Sequence, residues 1–474
     1  VSAATSVTIL TLPQLAQFAG GDLIGPVPSG DPTAREAWLR SGIEGVSIDT
    51  RTIARGDLFV PLRGGSADGH RFLAEAFARG AAAALCERSA YPGWEGREPG
   101  PLVLVDDATA ALQRMAKRFR DDWNGLLVGI TGSSGKTTTK ELVAAVLASA
   151  APTLKTEGNL NNHWGVPLTL LRLRPTHQAA VVEMAMSGAG EIAALGTIAS
   201  PTAAVITNAG RAHLGGPGLG TLEAIAHEKA SLADAVPKGA PVFAGADSPL
   251  LMAALQGSRA RVISYGLAEG AMVRPQRIEE RGPDGSRFEV DGFPPVHLKL
   301  VGLHQVANAL AALAVAREYR IDPDGAVAAL AAVRPTRGRM EVRQVGGAIL
   351  LIDFYNANPD SMRAALDTLA RFAPARRRIA VLGDMLELGP DAPVLHRESG
   401  AAVRNAELWV VGRHADDYAA GARPAGIEAR IFADKPALGR TLAAELAPGT
   451  VVLLKASRGS ALEDVLAALP SAED

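Results

Sequence analysis

The run Thr131-Gly132-Ser133-Ser134-Gly135-Lys136-Thr137-Thr138-Thr139 combines two glycines, several hydroxyls and one ammonium group. Glycines let a backbone turn tightly and gather its N–H groups at one point, where they attract anionic oxygens. Lys136 adds a positive charge suited to the β- and γ-phosphates of a nucleoside triphosphate such as ATP, and the Thr137 hydroxyl suits Mg²⁺. The match to G-x-x-x-x-G-K-[ST] is incomplete, because Ile130 stands where the first glycine belongs. The competing reading is a glycine-rich turn that carries a surface lysine.

Further polar residues fall at the ends of apolar runs. Glu183 closes the run 179–182, and a carboxylate at the end of a central strand is placed to serve a cation beside a phosphate loop. An N-cap or loop glutamate is the alternative. His213 follows the strand end 207–210 beside Asn208, where a structural role and a metal role are both open. Lys229 lies in the helical pattern 222–232, and by its helix alone it reads as a solvated charge. Asn161, Asn162 and His163 precede Gly165-Val166-Pro167, and such amides bind a ligand or build a turn. Asp353-Phe354-Tyr355-Asn356-Ala357-Asn358-Pro359 connects a strand to a helix beginning near Ser361; the alternative to a cleft-facing cluster is a cap made by Asp360 or Ser361.

These residues need elements to hold them. The apolar run 126–130 and the alanine-rich pattern 141–150 supply a strand and a helix on either side of the glycine loop. A length of 474 residues suggests about three domains. Residues 1–107 read as a small α/β unit with strands at 45–48, 58–61, 83–86 and 102–105, a helix at 72–79 and a Pro/Gly-rich loop at 90–101. Residues 108–336 show strands at 126–130, 180–184, 203–207, 241–244 and 261–265, mostly separated by helices, which predicts a largely parallel sheet. That block closes with a strand at 297–301 and a helix at 306–319. Residues 337–474 alternate strands at 348–353, 378–382, 408–411, 429–432 and 451–455 with helices, a Rossmann-like doubly wound pattern. No G-x-G-x-x-G turn follows its first strand, which argues against a dinucleotide site.

A net charge of −2 gives no electrostatic reason to expect nucleic acid or an anionic membrane as partner. Cys86 is the single cysteine, so no internal disulfide forms, in keeping with a reducing compartment. The first residues lack the basic and apolar regions of a signal peptide, and no apolar run is long enough to span a bilayer. A cytoplasmic protein is expected.

Taken in order, the motifs resemble those of the ATP-dependent Mur ligases of peptidoglycan synthesis. The loop T-G-S-S-G-K-T-T-T is similar to that family's phosphate loop, which accounts for the missing glycine. It is followed by N-L-N-N-H-W-G-V-P-L-T-L (159–170), E-M-A-M-S-G-A-G-E-I (183–192), I-T-N-A-G-R-A-H-L (206–214), G-L-H-Q-V-A-N-A-L-A-A-L (302–313) and G-R-M-E (338–341). S-I-D-T-R (47–51), F-Y-N-A-N-P-D-S-M (354–362) and L-G-D-M-L-E-L-G (382–389) resemble the branch that adds D-alanyl-D-alanine to a UDP-N-acetylmuramoyl tripeptide. The D-N-P-R motif of the diaminopimelate-adding relatives is absent.

The resemblance implies an α/β fold of three domains: a UDP-substrate domain, a central ATP-binding domain and a Rossmann-like ligase domain. It implies that Gly132, Ser133, Ser134, Gly135, Lys136, Thr137 and Thr138 hold the ATP phosphates, that Thr137 and Glu183 hold Mg²⁺, and that His213 serves a second metal. Asn308 would contact adenine, Asp353 the ribose, and Arg339 a phosphate. Lys229 matches the family lysine that is often carbamylated, which replaces the solvated reading. Ser47, Asp49, Arg51, Asn162, Asn356 and Asn358 would contact the substrates, UDP-MurNAc-tripeptide and D-Ala-D-Ala. The chain departs from the family pattern in several places: Ile352 stands for the first of two aspartates, Phe354 for a serine, Gln305 for an asparagine, and Glu228-Lys229-Ala230-Ser231 for A-K-G-E. The competing functions are a related ligase, such as a folylpolyglutamate synthase, and a P-loop switch protein that hydrolyses ATP without ligation. A monomer is expected.

Overall fold

The computed structural model describes residues 9–25, 32–64, 68–212 and 214–470. Contacts divide the chain into two units. One runs to Leu127 and adds Leu154–Met184 and Ala194–Pro201; the other holds Val128–Thr153, Ala185–Ala193 and everything from Thr202 onward.

The first unit is built on a five-stranded sheet in the order Asp22–Ile24, Leu102–Val105, Ala83–Glu87, Asp57–Phe59, Gly45–Ser47. The Asp22–Ile24 edge is antiparallel and the remaining pairs are parallel. The helix Leu12–Ala19 starts at a capping box. The Gln14 N–H donates to the Thr11 hydroxyl, and the Thr11 N–H donates to Gln14 Oε1 at 2.9 Å. The helix Ala108–Asp121 follows the N-cap Asp107 and turns Leu112, Met115 and Ala116 inward. Its Arg120 is buried and satisfied by three carbonyls, those of Trp123, Ala199 and Ser200. The same unit contains the strand Thr153–Lys155 from Leu154 onward, the strand Ala179–Glu183 and the buried helix Gly165–Leu170.

In the second unit residues 128–131 of the strand Leu126–Thr131 and the strands Ala203–Ile206, Pro241–Gly245 and Arg261–Tyr265 pair in parallel in that order. Their near-continuous apolar burial is what a sheet covered on both faces requires. The helix Lys136–Ala148 packs against the helix Leu303–Glu318, whose alanines permit close approach. An antiparallel sheet of Pro275–Glu280, Ser286–Val290 and Val296–Leu298 follows. The last sheet has the order Glu341–Val345, Ala348–Asp353, Thr450–Lys455, Arg377–Leu382, Glu407–Val411, Arg430–Phe432, with only the first pair antiparallel. Its two faces carry separate cores: Leu351, Met362, Leu366 and Tyr418 on one, and Leu350, Trp409, Leu438 and Leu462 on the other. Truncating one of these fully buried leucines to alanine costs about 2–5 kcal/mol.

Strands expected at 102–105, 261–265 and 348–353 occupy those bounds, and the others shift at their ends. The helix after the glycine loop begins at Lys136, earlier than the 141–150 pattern suggested. Of the antiparallel sheet only the strand at 297–301 was expected, and it forms as Val296–Leu298; Pro275–Glu280, Ser286–Val290 and the edge strand Glu341–Val345 were not. Pro275–Glu280 is mostly exposed and charged, so it carries no apolar alternation to read.

Candidate nucleotide and ligase site

The phosphate loop forms as the residues predict: strand Leu126–Thr131, a turn, then helix Lys136–Ala148. Gly132 (φ +152°) and Gly135 (φ +79°) take backbone conformations that side chains disfavour, and both are crowded. A Cβ on Gly132 would lie 1.8 Å from Thr207 Oγ1, and one on Gly135 would lie 2.5 Å from Asn308 Oδ1. The loop is tied to the residues after strand Ala203–Ile206. Thr207 Oγ1 donates to the Ser134 carbonyl at 2.6 Å, and the Ser134 N–H donates to Asn208 Oδ1 at 3.0 Å. The Ser133 hydroxyl accepts from the Gly210 N–H at 2.8 Å and donates to the Gly210 carbonyl at 3.1 Å. Lys136 Nζ curls over the loop and donates to the Gly132 carbonyl at 2.7 Å. The first N–H groups of the helix have no intrahelical acceptor, which is the arrangement that receives a phosphate. Thr137 is buried and Thr138 half-buried in the helix's first turn.

Asn308 sits beneath this loop. Its Oδ1 accepts from the Thr139 hydroxyl at 3.2 Å and its Nδ2 donates to Gln305 Oε1 at 2.9 Å, so both ends of the amide hold protein groups here.

Lys229 is 1% exposed, which overturns the solvated reading drawn from its helix. The helix Leu222–Ala230 turns Ile225, Ala226 and Lys229 inward. The ammonium meets Met186 Sδ at 3.7 Å. Burial holds its pKa well below the ordinary lysine value; the nearby Lys136 charge lowers it further and Glu228 partly opposes the shift. The neighbouring Glu228 carboxylate is turned to other work, accepting from the Gly190 and Ile192 N–H groups at 2.8 and 2.7 Å.

Asp353 ends the strand Ala348–Asp353 and pairs with Lys455 Nζ at 2.5 Å. Its other oxygen accepts from the Met340 N–H at 3.2 Å. Arg339 lies over the Tyr355 ring, 4.0 Å from its centroid. Asn356 is exposed, whereas Asn358 caps the helix Pro359–Arg371 by accepting from the Ser361 N–H at 2.9 Å. Ser361 completes a capping box, its hydroxyl accepting from the Asn358 N–H at 3.0 Å, so the cap is shared by Asn358 and Ser361 and not made by Asp360. Lys455 and Arg458 escaped the sequence reading, and Tyr355 entered it only as part of the run 353–359. The signal for Lys455 was a charged residue closing an otherwise apolar run, in register with Asp353.

In the first unit Glu183 is 1% exposed at the last position of its strand, neither a cap nor a loop residue. Its Oε1 accepts from Asn161 Nδ2 at 2.8 Å and its N–H donates to Thr156 Oγ1 at 3.0 Å. Asn162 builds the turn into Gly165–Leu170, accepting from the Trp164 and Gly165 N–H groups at 3.1 and 2.9 Å. Ser47, Asp49 and Arg51 form one cluster. The Ser47 hydroxyl donates to the Asp49 carbonyl at 2.9 Å, and Arg51 Nη2 lies 2.5 Å from Asp49 Oδ2. The Arg51 guanidinium holds the Asp49 carboxyl down at about 2. His213 lies outside the described residues.

Among the described residues no helix is long and apolar enough to cross a membrane. A strand–loop–helix phosphate cradle joined to a doubly wound sheet defines a P-loop α/β protein. The family models agree in order along the chain: the Mur ligase family catalytic domain over residues 42–120, the Mur ligase middle domain over 130–316, and the glutamate ligase domain of Mur ligases over 338–458. UDP-N-acetylmuramoyl-tripeptide--D-alanyl-D-alanine ligase of Synechocystis sp. is 40% identical, covering 90% of this chain and 92% of that one. The crystal structure of MurF from Acinetobacter baumannii superimposes with a TM-score of 0.84 at 28% identity, covering 96% and 98% of the two chains. MurF ligase from Thermotoga maritima in complex with ADP gives 0.77 at 30% identity, covering 90% and 96%. The chain belongs to the Mur ligase family, and its three-domain α/β organisation is that family's.

Proposed function

We propose that this chain joins D-alanyl-D-alanine to UDP-N-acetylmuramoyl-tripeptide at the expense of ATP, giving the pentapeptide precursor of peptidoglycan, ADP and phosphate. The observation that carries the reading is the phosphate loop, on a chain 40% identical across nine-tenths of its length to a ligase named for that reaction. Forming an amide from a carboxylate in water is unfavourable. The tripeptide carboxylate attacks the γ-phosphorus and ADP leaves; the dipeptide amine then attacks the acyl phosphate and phosphate leaves. No side-chain nucleophile is needed, so the protein's contribution is positioning and charge neutralisation.

Lys136, Gly132, Ser133, Ser134, Gly135, Thr137 and Thr138 are assigned to the ATP phosphates, with Lys136 leaving the Gly132 carbonyl to meet them. Mg²⁺ would neutralise phosphate charge, and it takes one or two carboxylates with water and phosphate oxygens. The Thr137 hydroxyl and the buried Glu183 carboxylate are donors of that kind; His213 is assigned to a second ion on the resemblance alone. Lys229 suits carbamylation. Burial that lowers the amine's pKa favours the uncharged form, which is the form nucleophilic toward CO₂, and the resulting anion would complement Lys136. Asn308 is assigned to adenine, Asp353 to ribose and Arg339 to phosphate. Ser47, Asp49 and Arg51 are assigned to the UDP-linked substrate, and Asn162, Asn356 and Asn358 to the surroundings of the reacting peptides. For Asn162 and Asn358 that contribution runs through the turn and cap they build. The corresponding domains are residues 1–107, 108–336 and 337–474, in a cytoplasmic monomer.

The test is phosphate release measured with UDP-muramoyl tripeptides ending in diaminopimelate or in lysine. Release that depends on D-Ala-D-Ala is expected with one of them and is lost in Lys136→Ala. ATP hydrolysis indifferent to the dipeptide would return the chain to a P-loop switch.

A further inference from the structure

Two guanidinium groups lie against the Tyr355 ring. The Arg339 carbon lies 4.0 Å from the ring centroid and the Arg458 carbon 5.6 Å. Asp353, which ends the strand before Tyr355, is engaged by Lys455 at 2.5 Å and by the Met340 N–H at 3.2 Å. Among the described residues neither arginine has a carboxylate partner, and Arg339 Nε is buried without an acceptor. Two like charges held against one ring, neither matched by a carboxylate among the described residues, make a place for added anions.

The position is built and lies where ligands bind. Arg458 follows the strand Thr450–Lys455, and Tyr355 follows the adjacent parallel strand Ala348–Asp353, so both lie beyond the carboxyl ends of a doubly wound sheet. The backbone before Arg458 is pinned. The Ser457 N–H donates to the Asp384 carbonyl at 3.0 Å, and the Ser457 hydroxyl accepts from the Leu386 N–H at 2.9 Å and donates to the Ala357 carbonyl at 3.2 Å. The Arg458 side chain itself is exposed.

We propose that Arg458 binds the free carboxylate of the incoming dipeptide, and that Tyr355 sets its distance from Arg339, which faces the phosphoryl group. This rests on the ligase reading. A dipeptide that reacts through its neutral amine retains one charge, the carboxylate at its far end. A planar guanidinium matches that group with two parallel hydrogen bonds, which fixes orientation as well as affinity. One arginine for each anion, both held against one ring, brings amine and acyl phosphate together and selects dipeptides with an ionised C-terminus.

The experiment compares D-Ala-D-Ala with its C-terminal amide in the wild type, Arg458→Gln and Arg458→Lys, following phosphate release. The wild type is expected to prefer the acid by roughly tenfold or more in kcat/KM, the scale of a charge-assisted bidentate contact. Arg458→Gln is expected to lose that preference through a raised dipeptide KM with the ATP KM unchanged, and Arg458→Lys to keep part of it. An unchanged acid-to-amide ratio in Arg458→Gln overturns the proposal. So does an ATP KM that rises as far as the dipeptide KM, which would assign Arg458 to the nucleotide. An active wild type with such a variant removes the carboxylate anchor alone, whereas a wild type without dipeptide-dependent phosphate release removes the ligase reading as well.

Discussion

Lys455 donates to Asp353 at 2.5 Å across two adjacent parallel strands, one residue almost fully buried and the other at the edge of the site. A lysine withdrawn from water is tolerated there because its charge is matched and a second acceptor, the Asn356 carbonyl, lies at 3.3 Å. Lys455→Met leaves the carboxylate without its counter-ion. We expect it to lower unfolding free energy by roughly 2–4 kcal/mol, somewhat below the range for fully buried pairs because Asp353 retains some water. A denaturant midpoint equal to wild type would refute this.

Gly135→Ala is expected to cut ATP affinity at least about tenfold, since it combines a disfavoured φ with a Cβ 2.5 Å from Asn308 Oδ1. Titration with a fluorescent ATP analogue reads the loss, and full affinity in the variant contradicts the crowding described above.

Lys229 gives a pH signature in CO₂-depleted buffer. Its pKa lies well below the ordinary value of 10.5 in the folded chain, so between those limits the unfolded chain holds a proton the folded chain lacks. Stability therefore rises with pH through that window and flattens above it. Lys229→Met removes this component and is expected to be at least as stable as wild type at neutral pH, yet inactive. Short carboxylic acids are expected to restore part of the activity of Lys229→Ala. Unchanged turnover in either variant would return Lys229 to a packing role.

His304 acts on the acid side. Burial depresses its pKa from 6.5 to about 4, so as pH falls through 6.5 the unfolded chain takes up a proton first. Stability declines from about pH 6.5 down to about pH 4 and this component is then exhausted. His304→Gln is expected to flatten that limb in thermal melts taken at intervals of pH, and an identical profile would exclude His304 as its source.

Much of the α/β alternation was legible because parallel strands covered on both faces are continuous apolar runs, as in Leu102–Val105 and Thr450–Lys455. The antiparallel Pro275–Glu280 was not, since its side chains are mostly exposed and polar. In the site, Lys136 and its glycines declared themselves by spacing, whereas Tyr355 and Arg458, about a hundred residues apart, meet only through strand pairing.

Sequence alone determined the phosphate loop, because strand, turn and helix are contiguous and each depends on its own residues. It also determined the membership that the ordered motifs implied. Tertiary structure alone decided which polar groups lose water. Lys229 lies on a helix whose periodicity does not say what covers it, and Asn358 stands in a motif that reads equally as ligand contact or cap. Burial and hydrogen-bond partnership are set by segments distant in the chain, and those are fixed only when the sheets assemble.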